Sequence, residues 1–159
     1  MHLIDTHTHL FLPEFDLDRD QVINNAIQRG IDKMLLPNVD NQTISALLEL
    51  SKKFPVNCYP MIGLHPTSVK EDYISDLKLL ESLIDKYRFI AIGETGIDLY
   101  WDKTFYKQQV ESFVYQINLA KKYELPIVIH ARESFDEIFS VLKEQIDNVK
   151  SEIERGERA

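Results

Sequence analysis

The feature that most constrains the fold is an alternation of short apolar runs with longer amphipathic ones, repeated five times along the chain. That rhythm is the signal for βα units and a parallel sheet. The short runs predict strands over Leu3–Thr6, Lys33–Leu36, Asn57–Ile62, Phe89–Ile92 and Pro126–Ile129, the first of them short and buried. The longer runs predict helices over about Asp18–Arg29, Thr43–Lys53, Tyr73–Tyr87 and Phe105–Tyr123. Each carries apolar residues at helical spacing, as Leu77, Leu80, Leu83 and Ile84 do in the third. A fifth helix opens at Ser134-x-x-Glu137, the pattern of a capping box, and carries Ile138, Phe139 and Leu142.

At 159 residues and 44% hydrophobic content the chain makes one ordinary domain with a real core. Its net charge of −8 argues against a general electrostatic grip on nucleic acid. An enzyme acting on a phosphodiester stays open, because bound divalent cations reverse the sign locally. Cys58 is the one cysteine, so no intrachain disulfide can form, and a reducing, cytoplasmic setting is expected. No apolar run approaches membrane length, so no membrane partner is expected.

Polar residues gather where the strands end, which is where βα folds place their chemistry. His7 and His9 stand two apart and therefore point to the same side of the first strand, within reach of one metal ion. Asp5 shares their parity and is expected to fix a ring tautomer from behind. Later strand ends carry Asn38 and Asp40, His65, Glu94 and Asp98, and His130 with Arg132. Four of the five histidines lie at such positions, which points to a metal site.

Glu94 can bridge two cations or merely cap the fourth helix, and the ligand reading is preferred. His130 closes an apolar strand, where a hydrogen-bonded core histidine is the alternative to a ligand. His65 can meet substrate or support its loop; Arg132 can hold a phosphate by its forked donors or simply be solvated. Asp98 is read as loop structure. Tyr100 and Trp101 are read as cover for the core in preference to a wall of the site.

Four segments, Ile4-Asp-Thr-His-Thr-His9, Gly63-Leu-His-Pro66, Gly93-Glu-Thr-Gly-Ile-Asp98 and Pro126-Ile-Val-Ile-His-Ala-Arg132, together resemble the TatD-type metal-dependent deoxyribonucleases. That family belongs to the amidohydrolase-like barrels, and the resemblance covers about residues 2 to 146. It implies hydrolysis of phosphodiester bonds by two-metal activation of water, trimming DNA or RNA from the 3′ end. By position, His7 and His9 would hold one metal, Glu94 would bridge both, and His130 would hold the second. Glu94, His65 and Arg132 would be the catalytic residues, with His65 and Arg132 near the substrate phosphate. The ions would be two divalent metals drawn from zinc, manganese, magnesium or iron.

Eight such units need about 250 residues, whereas five fit the length present. The expectation is a partial TIM (β/α)8-type barrel lacking strands six to eight, together with a further histidine and aspartate that the family carries there. Residues 1–149 would form its N-terminal part and residues 150–159 a charged tail, frayed or disordered. Such a chain could be inactive because truncated, with another copy or chain completing the barrel. A catalytically dead fragment or assembly subunit is the alternative. A second is an amidohydrolase or phosphoesterase acting on a small molecule. Glu94 stands where C–N-cleaving amidohydrolases commonly use a modified lysine, and the nearest lysine, Lys103, lies in the next loop.

Overall fold

A computed structural model describes residues 2–155. Among these residues, β1 (Leu3–Asp5), β2 (Ile31–Leu36), β3 (Cys58–Pro60), β4 (Ile92–Asp98) and β5 (Ile127–Arg132) alternate with five helices. These are α1 (Arg19–Gln28), α2 (Ile44–Lys53), α3 (Tyr73–Ile84), α4 (Tyr106–Tyr123) and α5 (Phe135–Glu154). All pairings are parallel, in the orders β1-β2-β3 and β4-β5. A bridge between Ile62 and Ile92 joins the two groups, with Gly93 N–H donating to the Ile62 carbonyl at 2.8 Å. The backbones meet closely there: a Cβ on Gly63 would fall 2.6 Å from the Gly93 carbonyl carbon. Past the short β3, Glu94 N–H donates to the Asn38 carbonyl at 3.2 Å, so the segment after β2 bonds directly to β4.

Helices cover the strands through three apolar clusters. Ile23, Met34, Leu36 and Leu47 pack α1 and α2 onto β2. Ile62, Leu77, Leu80, Ile92 and Leu119 pack α3 and α4 onto the middle of the fold. Ile97, Phe113, Ile117, Ile138 and Val141 lock α4 and α5 to β4. Burial consequently peaks at β4, where every residue is buried, and falls away toward β1 and β5.

β1 is not the buried strand that its apolar residues suggest. Leu3 is 40% and Ile4 55% exposed, because β1 pairs only with β2 among the described residues and nothing covers its other side. β4 also starts later and runs further than expected, so Glu94 lies inside a strand and not beyond its end. Gly96 makes this possible. Its φ of 144° is a region that side chains rarely adopt, and a Cβ there would fall 2.0 Å from the His130 carbonyl oxygen. β4 can therefore continue against β5, with Gly96 opposite His130 and Asp98 opposite Arg132.

Ser134 does more than open α5: its hydroxyl donates to the Ile97 carbonyl at 2.5 Å and accepts from Arg132 N–H at 3.2 Å. α5 reaches Glu154, so residues 150–154 of the expected charged tail are helical, while residues 156–159 of it lie outside the described residues. Among the described residues, no helix is long and apolar enough to cross a membrane.

Gly96→Ala adds both a strained φ and a clash with β5. We expect it to lower stability by about 3 kcal/mol or more, read as a shift of the urea midpoint. A midpoint like that of the parent chain would mean that β4 does not need this close approach.

Candidate metal centre

The site is built around Glu94, a carboxylate only 7% exposed at the centre of β4. Its two oxygens face different histidine pairs. Oε2 lies 3.1 Å from His7 Nε2 and 3.7 Å from His9 Nε2. Oε1 lies 3.1 Å from His130 Nδ1 and 3.9 Å from His65 Nε2. Two groups result, His7–His9–Glu94 and His65–Glu94–His130, in each of which the donor atoms lie within 4.8 Å of one another. Imidazole nitrogens and a carboxylate at this spacing are a donor set that fits a divalent transition metal in each group.

Local structure supplies each donor. The parity of β1 carries past its end, so His7 and His9 both reach Glu94, with their rings edge-on at 5.1 Å. His9 donates Nδ1–H to the Pro37 carbonyl at 3.0 Å, which leaves Nε2 as the lone-pair nitrogen toward Glu94. Asp5 does not play the expected part. It accepts from the His7 backbone N–H at 3.1 Å, and the tautomer of His9 is fixed by Pro37 instead. His65 opens the 3₁₀ turn Pro66–Ser68, where its Nδ1 accepts from Thr67 N–H. Its Nε2 is thereby turned to His130, 3.1 Å away.

Asp98 is the residue that the sequence reading undervalued. It is 1% exposed, and its Oδ2 lies 2.9 Å from His130 Nε2. Its Oδ1 accepts from the backbone N–H of Tyr100 and Trp101 at 3.0 and 3.2 Å. The signal was available as parity: Glu94, Gly96 and Asp98 alternate along one face of β4. Asn38 and Asp40, by contrast, are structural. Asn38 Nδ2 donates to the Gly63 and Asp40 carbonyls, and Asp40 Oδ1 accepts from Gln42 and Thr43 N–H at the start of α2.

Arg132 is exposed at the end of β5. Its guanidinium lies 3.9 Å from the Tyr100 ring centre and 5.1 Å from that of Trp101. Tyr100 and Trp101 are 49% and 67% exposed, so they do not cover the core. A separate cavity of about 860 Å³, lined by residues such as Tyr59, Tyr87 and Arg88, holds none of the site residues.

The electrostatics favour neutral His65 and His9 and an ionised Glu94, but a protonated His130. Burial pushes His65 down to about 4 and, with the neighbouring His7, lowers His9. Burial acts to raise Glu94, but the His130 hydrogen bond and the surrounding imidazoles outweigh it and hold the carboxyl below its ordinary range. His130 moves the other way: its hydrogen bond to Glu94 outweighs burial, and Asp98 adds to the rise. As an imidazolium it donates Nδ1–H to Glu94 and Nε2–H to Asp98. Loss of the Nδ1 proton turns that nitrogen into a lone-pair donor while Asp98 still fixes the ring.

Parallel βα units with a cluster of histidines around one shared, buried carboxylate define an α/β protein with a candidate metal centre. The sequence comparisons agree: the TatD related DNase family matches residues 4–153, and the chain belongs to that family. It is 34% identical over 143 residues to the uncharacterized metal-dependent hydrolase YabD of Bacillus subtilis, covering 90% of this chain and 56% of that protein. It is 28% identical over 151 residues to the 3′-5′ ssDNA/RNA exonuclease TatD of Erwinia tasmaniensis, covering 95% and 58%. The crystal structure of YjjV, a TatD homologue from Escherichia coli K12, superposes with a TM-score of 0.82 at 29% identity, over 89% of this chain and 55% of that one. The chain thus spans a little over half the length of these relatives.

In the metal-free chain, His65 should stay neutral from pH 8 down to pH 5, because its lowered pKa puts protonation near 4. His130 should carry its proton to above the ordinary 6.5. Histidine ring ¹⁵N shifts followed through a pH titration check both; a His65 ring that titrates near 6.5 would contradict the buried, neutral environment described.

Proposed function

We propose that the chain forms the first five βα units of a (β/α)8-type barrel, with residues 1–149 as its N-terminal part, and carries the metal face of a phosphodiester hydrolase. The proposed substrate is the 3′ end of single-stranded DNA or RNA, and the proposed cofactor is a pair of divalent cations, zinc, manganese, magnesium or iron. One observation carries this reading: the two oxygens of a single buried carboxylate, Glu94, face two separate imidazole pairs. Membership of a family whose members include a protein named as an ssDNA/RNA exonuclease supports the substrate class.

When bound, divalent ions supply positive charge for a phosphoryl oxygen and make a water acidic enough to attack at neutral pH. The chain's own residues set up that chemistry. His7 and His9 offer one pair of ring nitrogens, with His9 aimed by the Pro37 carbonyl. His130 offers the nitrogen of the second group, aimed by Asp98. His65 is neutral, and with Nδ1 accepting from Thr67 its Nε2–H can face the phosphate, while Arg132 supplies a forked cation over Tyr100. Glu94 sits between the groups and orients both.

A second reading is favoured by a specific observation. Phe135, Phe139 and Ile146 on α5 are each more than half exposed, and so is Ile4 on β1, while β1 and β5 each have one strand partner among the described residues. Apolar faces of this kind favour completion by another copy or another chain, in which case this chain acts as an assembly subunit.

Native mass spectrometry with zinc or manganese should find two ions per chain, and Glu94→Gln should abolish stable loading of both. Cleavage of a single-stranded oligonucleotide should disappear with a chelator and fall at least about 100-fold in Glu94→Gln. Cleavage that survives either treatment would overturn the metal-dependent reading. Loading without cleavage by the lone chain, with activity gained only in a larger assembly, would favour the subunit reading.

A further inference from the structure

Asp98 ties the candidate metal centre to an aromatic surface that the roles given above do not use. One of its oxygens holds His130 and the other holds the backbone of Tyr100 and Trp101. Trp101 also lines a cleft of about 120 Å³, between the turn at Pro66–Thr67 and the start of α4, whose wall includes Asp98, Lys70 and Phe105. Thr67 in that wall is hydrogen-bonded to His65. The cleft is therefore one residue removed from the second imidazole group on both of its sides. Its volume equals that of about four waters, the scale of a single ring.

Arg132 completes the arrangement. Its guanidinium carbon lies over the Tyr100 ring, 3.9 Å from the ring centre, and it has no hydrogen bond or ion pair to a carboxylate among the described residues. Its donors are unspent. In a chain of net charge −8, Arg132 over the exposed Tyr100 and Trp101 rings and Lys70 over Phe105 form a local exception suited to an anion joined to a flat ring.

Resting on the hydrolase reading, we propose that Trp101, Tyr100 and Arg132 form a single-nucleotide subsite: a base flanking the scissile phosphodiester stacks on Trp101, while Arg132, held by Tyr100, takes a phosphate. Stacking of this kind tolerates any base but requires that the base be free of a partner strand. The subsite thus selects single strands without reading their sequence, and it separates nucleic acid from small phosphodiesters that offer no ring.

Trp101 is the one tryptophan of the chain, so intrinsic tryptophan fluorescence reads this site alone. The probe is a short oligothymidine with phosphorothioate linkages, which resists cleavage, titrated into the full chain with and without zinc. Saturable quenching is expected, with little from an abasic oligomer of the same length and charge. Measured by anisotropy of a labelled oligomer, Trp101→Ala should weaken binding about 5- to 150-fold, and Trp101→Phe should restore most of it. Arg132→Ala should weaken binding of both the thymidine and the abasic oligomer. Absence of quenching in both metal states, or equal quenching by the abasic oligomer, would overturn the subsite. The two proposals fail separately. Base-dependent quenching by a chain that never cleaves, alone or in a larger assembly, leaves the subsite standing and removes the hydrolase reading. Cleavage of native oligonucleotide with Trp101 unresponsive does the reverse.

Discussion

Burial of the Glu94 carboxylate is the constraint on which the rest of the site depends. An ionised carboxyl at the centre of a fully buried strand is costly unless charge and hydrogen bonds meet it. Here four imidazoles do so, drawn from the ends of β1 and β5 and from the loop after β3. None of the four is adjacent to Glu94 in sequence, so the site exists only if strand order and register are right. The close approach at Gly96 is part of the same requirement. It lets β4 run on beside β5 and sets Glu94, His130 and Asp98 at their mutual distances. Stability and chemistry are therefore coupled at β4, and substitutions there act on both.

The histidines divide by what lies behind them. His9 leans on a backbone carbonyl and His130 on a carboxylate. A carbonyl fixes a tautomer without adding charge, whereas Asp98 also favours the protonated ring. His9 and His130 thus differ in basicity: burial lowers the first, whereas its bonds to Glu94 and Asp98 raise the second.

Much of the architecture was legible in the alternation of apolar and amphipathic runs, because helical and strand periodicities differ and each unit repeats them. The shared face of His7 and His9 followed from strand parity alone. Other features depended on what a strand meets in space. Leu3 and Ile4 read as buried because they are apolar, yet exposure is set by the neighbours of β1, which sequence periodicity does not encode. β4 read as ending at Ile92 because Gly93 and Gly96 break a strand pattern, while in the fold Gly96 is what lets the strand continue. Asp98 read as a loop residue for the same reason. Its two oxygens serve two partners, His130 and the Tyr100–Trp101 backbone, and only the three-dimensional arrangement reveals both.

The acidic character of the chain bears on how such a site would meet a polyanion. A protein of net charge −8 gains little from counterion release along a nucleic-acid backbone. Attraction has to be local, from the cations the histidine groups are suited to hold and from Arg132 and Lys70 on the aromatic surface next to Asp98. Binding then depends on the metal first and on ring stacking second, with sequence-independent backbone contacts contributing least. An enzyme arranged in this way would be slow to engage duplex DNA, whose bases are sequestered. It would favour frayed or single-stranded ends, where one phosphate and one free base can be offered together.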